Sequence, residues 1–289
     1  MNKRILNAQH GRIVVVGCKG FIGNAISKYL AGNGIDVLNI SSEEFNLLNL
    51  NTIERLKKIL LEDDIVIFNS AIAPAKTIKD LQKTIKMAET FSKCLEKSPP
   101  KNLILISSDS VYGDKEGKFD EESSCDPTTY HGLSQLAREM IFKNSGLNCL
   151  TILRICAIYG PGDTHNGYGP NRFVNQIVND SPIKLFGNGL NRRDHIYIDD
   201  VVNLILASVK LDYNGILNIA TGRTYSFLQV AEECNFVFSK NQDFEMIGAE
   251  TTIINKEIDI SKLKSFIPEY EIFNLSQGLK HWKTIGFFA

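Results

Sequence analysis

Short apolar runs alternate along this chain with longer stretches in which apolar residues recur every three to four positions. The runs lie at 12–16, 35–40, 64–68, 101–107 and 148–154, and helical periodicity covers 21–32, 51–61, 77–97 and 131–145. Strands alternating with helices of these lengths predict βαβ units and a parallel sheet covered on both faces. The run at 102–106, apolar without a break from Leu103 to Ile106, reads as a central strand. Beyond about residue 160 the pattern breaks, where Gly160-Pro161-Gly162, Gly167, Gly169-Pro170 and Gly187-Asn188-Gly189 cut the chain into loops and short elements. Helical patterns follow at 170–179, 199–210 and 226–238. The expectation is an α/β protein: a doubly wound parallel sheet over 1–165, and a small C-terminal α/β lobe over 166–289 whose segments interleave with it.

A length of 289 residues with 43% apolar content is enough for a two-sided core. The net charge of −1 gives no reason to expect nucleic acid or a membrane surface as partner. Six cysteines, at 18, 94, 125, 149, 156 and 234, show neither Cys-x-x-Cys pairing nor zinc-like spacing, so no metal is expected and the thiols read as reduced. No apolar run approaches a membrane span and the first eleven residues lack an apolar signal core. The expected location is cytoplasmic.

The first chemistry lies at the end of the first apolar run. Gly17, Gly20 and Gly23 follow a strand and open a helix, the context in which spaced glycines bind a dinucleotide. Gly17 permits the tight turn, Gly20 admits a pyrophosphate, and Gly23 lets the helix pack on the sheet. The backbone N–H groups of Phe21, Ile22 and Gly23 then face the phosphates.

The Gly-x-x-Gly-x-x-Gly spacing resembles that of the extended short-chain dehydrogenase/reductase family: nucleotide-sugar epimerases, dehydratases and 4-keto-sugar reductases. The resemblance covers nearly the whole chain and implies NAD(P), with Asn39, Ser41, Asn46, Leu47 and Ala71 joining the glycine loop at the cofactor. The second strand ends in Val37-Leu38-Asn39-Ile40-Ser41-Ser42, with no carboxylate before Glu43 to repel a 2′-phosphate, and Lys19 stands in the loop to neutralise one. Glu44-Phe45-Asn46-Leu47-Leu48-Asn49 is similar to a segment of GDP-fucose synthases, which use NADP. The lean is to NADP(H), with an exposed, solvated Lys19 as the alternative.

Downstream, Ile106-Ser107-Ser108-Asp109-Ser110-Val111-Tyr112-Gly113 resembles the family's catalytic serine segment. The resemblance implies that Ser108 bonds the reacting sugar oxygen. It sets Asp109 and Ser110 where dehydratases carry an acidic pair; a single carboxylate there argues against dehydration. A Ser/Asp turn capping the strand end is the plainer reading, and suits Ser107 better than Ser108. Arg154-Ile155-Cys156-Ala157-Ile158-Tyr159-Gly160-Pro161 is similar to the family's Arg-x-x-Asn-x-Tyr-Gly-Pro element, with Ala157 in place of the asparagine. A late signature, Arg192-Arg193-Asp194-His195-Ile196-Tyr197-Ile198-Asp199-Asp200, implies that Arg193 holds the substrate diphosphate through its planar fork. The resemblance further implies Tyr159 and Ser110 as substrate contacts. An Arg193–Asp194 ion pair is the structural alternative, and Asp200 reads as a helix N-cap.

In this family a tyrosine moves the substrate proton, and a lysine four residues later lowers its pKa and holds the nicotinamide ribose. Here the segment is Tyr130-His131-Gly132-Leu133-Ser134-Gln135. One register puts His131 in the tyrosine place and Gln135 in the lysine place; the other uses Tyr130 and Ser134. Neither supplies the lysine. In one reading His131, with an unperturbed pKa of about 6.5, is the general acid/base, although its ring reaches roughly 2 Å less far than a tyrosine hydroxyl. In a second, Tyr130 acts through a shifted turn. In a third, the site is degenerate and the protein only binds nucleotide or nucleotide sugar. The expected function is epimerisation or 4-keto reduction of a nucleotide-activated sugar in glycan precursor synthesis. The family also implies a homodimer through the helices near 77–97 and 131–145.

Overall fold

Strand β1 (Ile13–Val16) and strand β3 (Ile65–Phe68) are buried at every position. A strand with no polar face must be covered on both sides, and that requirement builds the sheet. β2 (Val37–Ile40) flanks β1, and β4 (Asn102–Ser108) flanks β3; Leu150–Ile155 and Gly215–Ile219 extend the sheet beyond β4. Ile13 lies opposite both Val37 and Ile65, Ile65 opposite Asn102, and Leu103 opposite Leu150, all in parallel pairings. This is the doubly wound parallel sheet expected from the alternation of elements. The computed structural model describes residues 11–96, 99–163, 165–249 and 252–286.

Helices α1 (Phe21–Gly32), α2 (Thr52–Leu56), α3 (Ile78–Leu95) and α4 (Tyr130–Lys143) connect the strands. Val14, Val66, Phe68 and Leu105 from the sheet share one core with Phe91 of α3 and Phe142 of α4. Phe68 stacks on Phe91 at 4.7 Å and meets Phe142 edge-on at 5.0 Å. Thr77 opens α3 in a capping box with Asp80, and Thr129 opens α4 by accepting from the Gly132 N–H. The helix expected over 51–61 is shorter than its periodicity. After Leu56 i+3 bonds (Lys58 to Arg55, Ile59 to Leu56) mix with i+4 bonds, and Arg12 and Asp64 take over the Ile59 carbonyl (2.6 Å) and the Leu61 N–H (2.8 Å).

By contact density the chain falls into two units. Unit 1 takes the described residues up to Gly113, then Ser124–Ile155 and Val202–Leu217; unit 2 takes Asp114–Ser123, Cys156–Val201 and the described residues from Asn218. Unit 2 holds a three-stranded sheet ordered Thr224–Ser226, Arg192–Tyr197, Ala157–Tyr159, and two strand pairs, Ile183–Phe186 with Phe244–Ile247 and Gly117–Phe119 with Lys256–Ile258. Inside it Asp194 makes no pair with Arg193. Its buried carboxylate accepts from the backbone N–H groups of Thr221, Gly222 and Arg223 and from the Thr221 hydroxyl. Asp200 is no N-cap either: it sits in the first turn of helix Ile198–Lys210 and accepts from the Tyr270 hydroxyl (2.6 Å) and the Phe273 N–H (3.0 Å).

Candidate active site

The turn from β1 into α1 is closed to side chains. Gly17 has φ +88°, and a Cβ there would stand 3.0 Å from the Ser70 nitrogen. A Cβ on Gly23 would meet the Gly17 carbonyl oxygen at 2.2 Å. Gly20 caps α1 with no side-chain bond, and the first turn holds no acid. The N–H groups of that turn are therefore what the loop presents, together with the positive end of the helix. Because β1 leads to β2 on one side while β3 lies on the other, this turn stands at the switch point of the sheet, where such folds bind ligands.

Beside it lies a cavity of about 260 Å³ lined by Ser41, Phe45, Asn46, Leu47, Ser70 and Lys83, among others. Ser41, Asn46 and Leu47 were expected here. Ala71 is half-buried between two lining residues, Ser70 and Ile72. Asn39 is exposed and its amide oxygen accepts from the Ser27 hydroxyl at 2.6 Å. Lys83 and Met87 enter from α3, one turn apart on one helix face; nothing in their local sequence marks them. Lys19 is not free: its ammonium pairs with Glu43 at 2.5 Å, both side chains well exposed. The cradle and the cavity together fit the phosphates and adenosine of a dinucleotide.

At the end of β4 the chain turns through a 3-10 segment, Asp109–Tyr112, capped by Ser108. The Ser110 N–H (3.2 Å) and hydroxyl (2.9 Å) donate to Ser108 Oγ, which donates to Asp109 at 3.3 Å. Ser108, rather than Ser107, therefore caps the strand end. Ser107 instead donates to Glu139 at 2.6 Å in a buried network with Arg154.

Helix α4 approaches this turn because residue 132 is glycine: a Cβ there would fall 2.3 Å from the Ser110 carbonyl oxygen. The close approach brings His131 beside the Ser108–Ser110 turn, with Asp109 acting on its charge. His131 is half-buried, and its Nδ1 is sealed without a partner among the described residues. Burial lowers its pKa, Asp109 raises it, and Arg138 lowers it, for a net downward shift. An imidazolium here would carry a buried N–H with no acceptor, so the ring is held neutral. Tyr130 is exposed at the helix start. Gln135 is buried, and its amide oxygen accepts from Arg138. Nothing in the local sequence marks Arg138, since an arginine in a helix reads as a solvated side chain.

Two expected substrate residues lie in unit 2. Arg193 pairs with Asp114 and donates to the Arg192 carbonyl at 2.7 Å. Tyr159 is a correction. Its ring is buried against Tyr197, its hydroxyl donates to the Leu275 carbonyl at 3.3 Å, and a Cβ on Gly278 would lie 2.0 Å from that hydroxyl. A side chain so enclosed is part of the core and is not offered to a ligand.

Comparison with known proteins places these features in a family. Residues 13–220 match the NAD dependent epimerase/dehydratase family. The dTDP-4-dehydro-6-deoxyglucose reductase of Escherichia coli is 28% identical over 81% of this chain and 84% of its own. The ADP-L-glycero-D-manno-heptose-6-epimerase of Brachyspira hyodysenteriae is 26% identical over 94% and 97%. Among solved structures, UDP-glucuronic acid 4-epimerase from Bacillus cereus, in complex with UDP-glucuronic acid and NAD, superposes with a TM-score of 0.80 at 23% identity, covering 94% of this chain and 98% of that one. Among the described residues no helix is long and apolar enough to cross a membrane.

Proposed function

This chain belongs to the NAD dependent epimerase/dehydratase family, and on that premise we propose that it carries out NAD(P)-dependent epimerisation or 4-keto reduction of a nucleotide-activated sugar, in the making of glycan precursors. The observation that carries the reading is that unit 1 holds, at the carboxyl edge of one sheet, a side-chain-free phosphate turn after β1, a cavity beside it, and the Ser108 hydroxyl with His131 at the end of β4, two strands away.

The loop Gly17–Gly23 holds the pyrophosphate through backbone N–H groups, and the cavity lined by Ser41, Asn46, Leu47 and Lys83 takes the adenosine. Bound NAD(P) supplies a carbon that accepts or returns hydride. Ser108 orients the reacting sugar oxygen, its own geometry fixed by Ser110 and Asp109. His131, neutral near pH 7, exchanges the proton of that oxygen through Nε2, which is not sealed. Arg193 is assigned to the substrate diphosphate for its planar fork. Of the two dinucleotides, NAD(H) has the better support: Glu43 already neutralises Lys19, so the cation expected to meet a 2′-phosphate is spent. The quaternary reading is a homodimer through α3 and α4, where Leu133 and Met140 stay exposed on one helix face.

The test is turnover of a panel of UDP-, dTDP-, GDP- and ADP-sugars and their 4-keto forms with NAD(H) and NADP(H). An altered sugar establishes the enzyme and names substrate and cofactor. Tight dinucleotide binding with every sugar unchanged would overturn the catalytic reading in favour of a binding-only protein.

A further inference from the structure

The two nitrogens of His131 live in different surroundings. Nδ1 is sealed from water with no hydrogen-bond partner among the described residues, while Nε2 is open. A neutral imidazole carries one hydrogen, and the bonding available to each nitrogen decides where it sits. On Nδ1 that hydrogen would be a buried donor with no acceptor, the rarer and costlier orphan; a bare lone pair there is tolerated better. The hydrogen therefore belongs on Nε2. The ring is also a poor place to deposit a second proton. Arg138, buried with its guanidinium on the Ile106 (2.8 Å) and Phe68 (3.4 Å) carbonyls at the ends of β4 and β3, acts against positive charge on it.

Ser108 is committed in the same sense. Its Oγ already accepts from the Ser110 N–H at 3.2 Å and from the Ser110 hydroxyl at 2.9 Å, so what it has left to offer is its own hydrogen. That hydrogen rests on Asp109 at 3.3 Å, long for a hydroxyl bond and readily exchanged for a better acceptor. Both side chains thus meet a reacting oxygen as donors. A carbonyl oxygen brings two lone pairs and no hydrogen, and suits them. An alcohol brings a hydrogen that neither can take, and an epimerase must remove that hydrogen before any hydride can leave.

We propose that this site is built for a ketone: His131 rests as the Nε2–H tautomer, and the chain reduces a nucleotide-activated keto sugar instead of inverting an alcohol carbon. The inference rests on the functional reading above, which brings the sugar oxygen to Ser108 and His131, and it fixes the direction that reading leaves open. The carbonyl carbon gains a hydride, with its electron pair, from the reduced nicotinamide dinucleotide. The C=O π pair moves to the oxygen, which takes the Nε2 hydrogen as a proton, and water returns a proton to the ring. The products are the alcohol and the oxidised dinucleotide. A neutral imidazole can polarise a carbonyl in this way near pH 7. The reverse reaction would have to start from a ring stripped of its Nε2 hydrogen, a state scarcely populated at that pH.

The experiment reads tautomer and direction on the wild-type protein. Long-range proton–nitrogen correlation NMR near neutral pH, with His131→Phe to assign the ring, should show a hydrogen on Nε2 and a bare Nδ1. UDP-, dTDP-, GDP- and ADP-linked 4-keto sugars are then incubated with NADH or NADPH, and the matching alcohol sugars with NAD or NADP. A keto sugar should be reduced, inversion of any alcohol sugar should be at least about a hundredfold slower, and His131→Phe should lose about a hundredfold of the reduction rate. A hydrogen on Nδ1, inversion at a rate comparable with reduction, or an undiminished rate in His131→Phe would overturn the proposal. An Nε2–H ring in a folded, dinucleotide-binding protein that alters no sugar would instead bring down the functional reading itself.

Discussion

Arg154 and Glu139 join β-sheet to helix through two parallel bonds sealed from water, Nε to Oε1 at 3.0 Å and Nη2 to Oε2 at 2.8 Å. Ser107 donates to the same carboxylate at 2.6 Å, and Arg154 donates onward to the Tyr112 hydroxyl at 3.1 Å. Removing one partner leaves a buried charge with nothing to balance it. Glu139→Gln is expected to cost about 3–5 kcal/mol, and Glu139→Gln/Arg154→Met to recover most of that loss. Chemical denaturation of both variants checks it. Equal losses in the two would mean that the pair contributes through packing instead.

Gly132 sets the distance between α4 and the turn that carries Ser108. In Gly132→Ala the new methyl would meet the Ser110 carbonyl at 2.3 Å and the Pro127 ring at 3.0 Å, both rigid. The helix start must shift, at about 1–3 kcal/mol of stability. The expected kinetic signature is a fall in kcat larger than any change in NADH affinity, because the displaced group is His131 and the phosphate turn is untouched. A wild-type kcat with a lowered midpoint would separate His131 from the chemistry.

The titration of His131 is expected below the ordinary histidine value, since burial disfavours the imidazolium and Asp109 only partly offsets it. The unfolded chain then binds the proton at higher pH than the folded one. The stability this contributes is complete above the unfolded value of about 6.5 and is lost as pH falls through the folded midpoint. Following the imidazole resonances by NMR tests it, with His131→Phe to assign the signal. Asp109→Asn should move the midpoint further down, and a midpoint above the ordinary value in the wild type would contradict the dry environment of Nδ1.

Glu43 is expected to govern cofactor choice through Lys19. Glu43→Gln frees the ammonium and removes a carboxylate, so the ratio of NADPH to NADH affinity should rise by about tenfold. The pair is exposed, so the effect should shrink as salt is added. A ratio that does not move places the 2′-hydroxyl elsewhere.

The sheet was readable because β1, β3 and β4 are buried on both faces and leave unbroken apolar runs in the chain. The glycine turn was readable for a similar reason, as steric exclusion forces the residue type. The site's polar wiring was not. Arg138 looks like any helical surface cation until the ends of β3 and β4 close around it. Arg193 finds Asp114, 79 positions away, where adjacency pointed to Asp194. Ser107 and Ser108 have the same chemistry on consecutive residues, and only strand alternation sends one to Glu139 and the other to the turn. Tyr159 carried a family signature, yet its hydroxyl is fixed by Gly278 and Leu275, more than a hundred residues later.

The interleaving of the two units bears on how the protein can be made. Five of the six strands of the main sheet have been synthesised once Ile155 is added, but the sixth, Gly215–Ile219, follows only after Cys156–Val201. A nascent chain therefore carries an open sheet edge along Leu150–Ile155 while some sixty further residues are added. Truncation anywhere before Ile219 leaves that edge bare, so neither unit can be cut out as one continuous piece of gene.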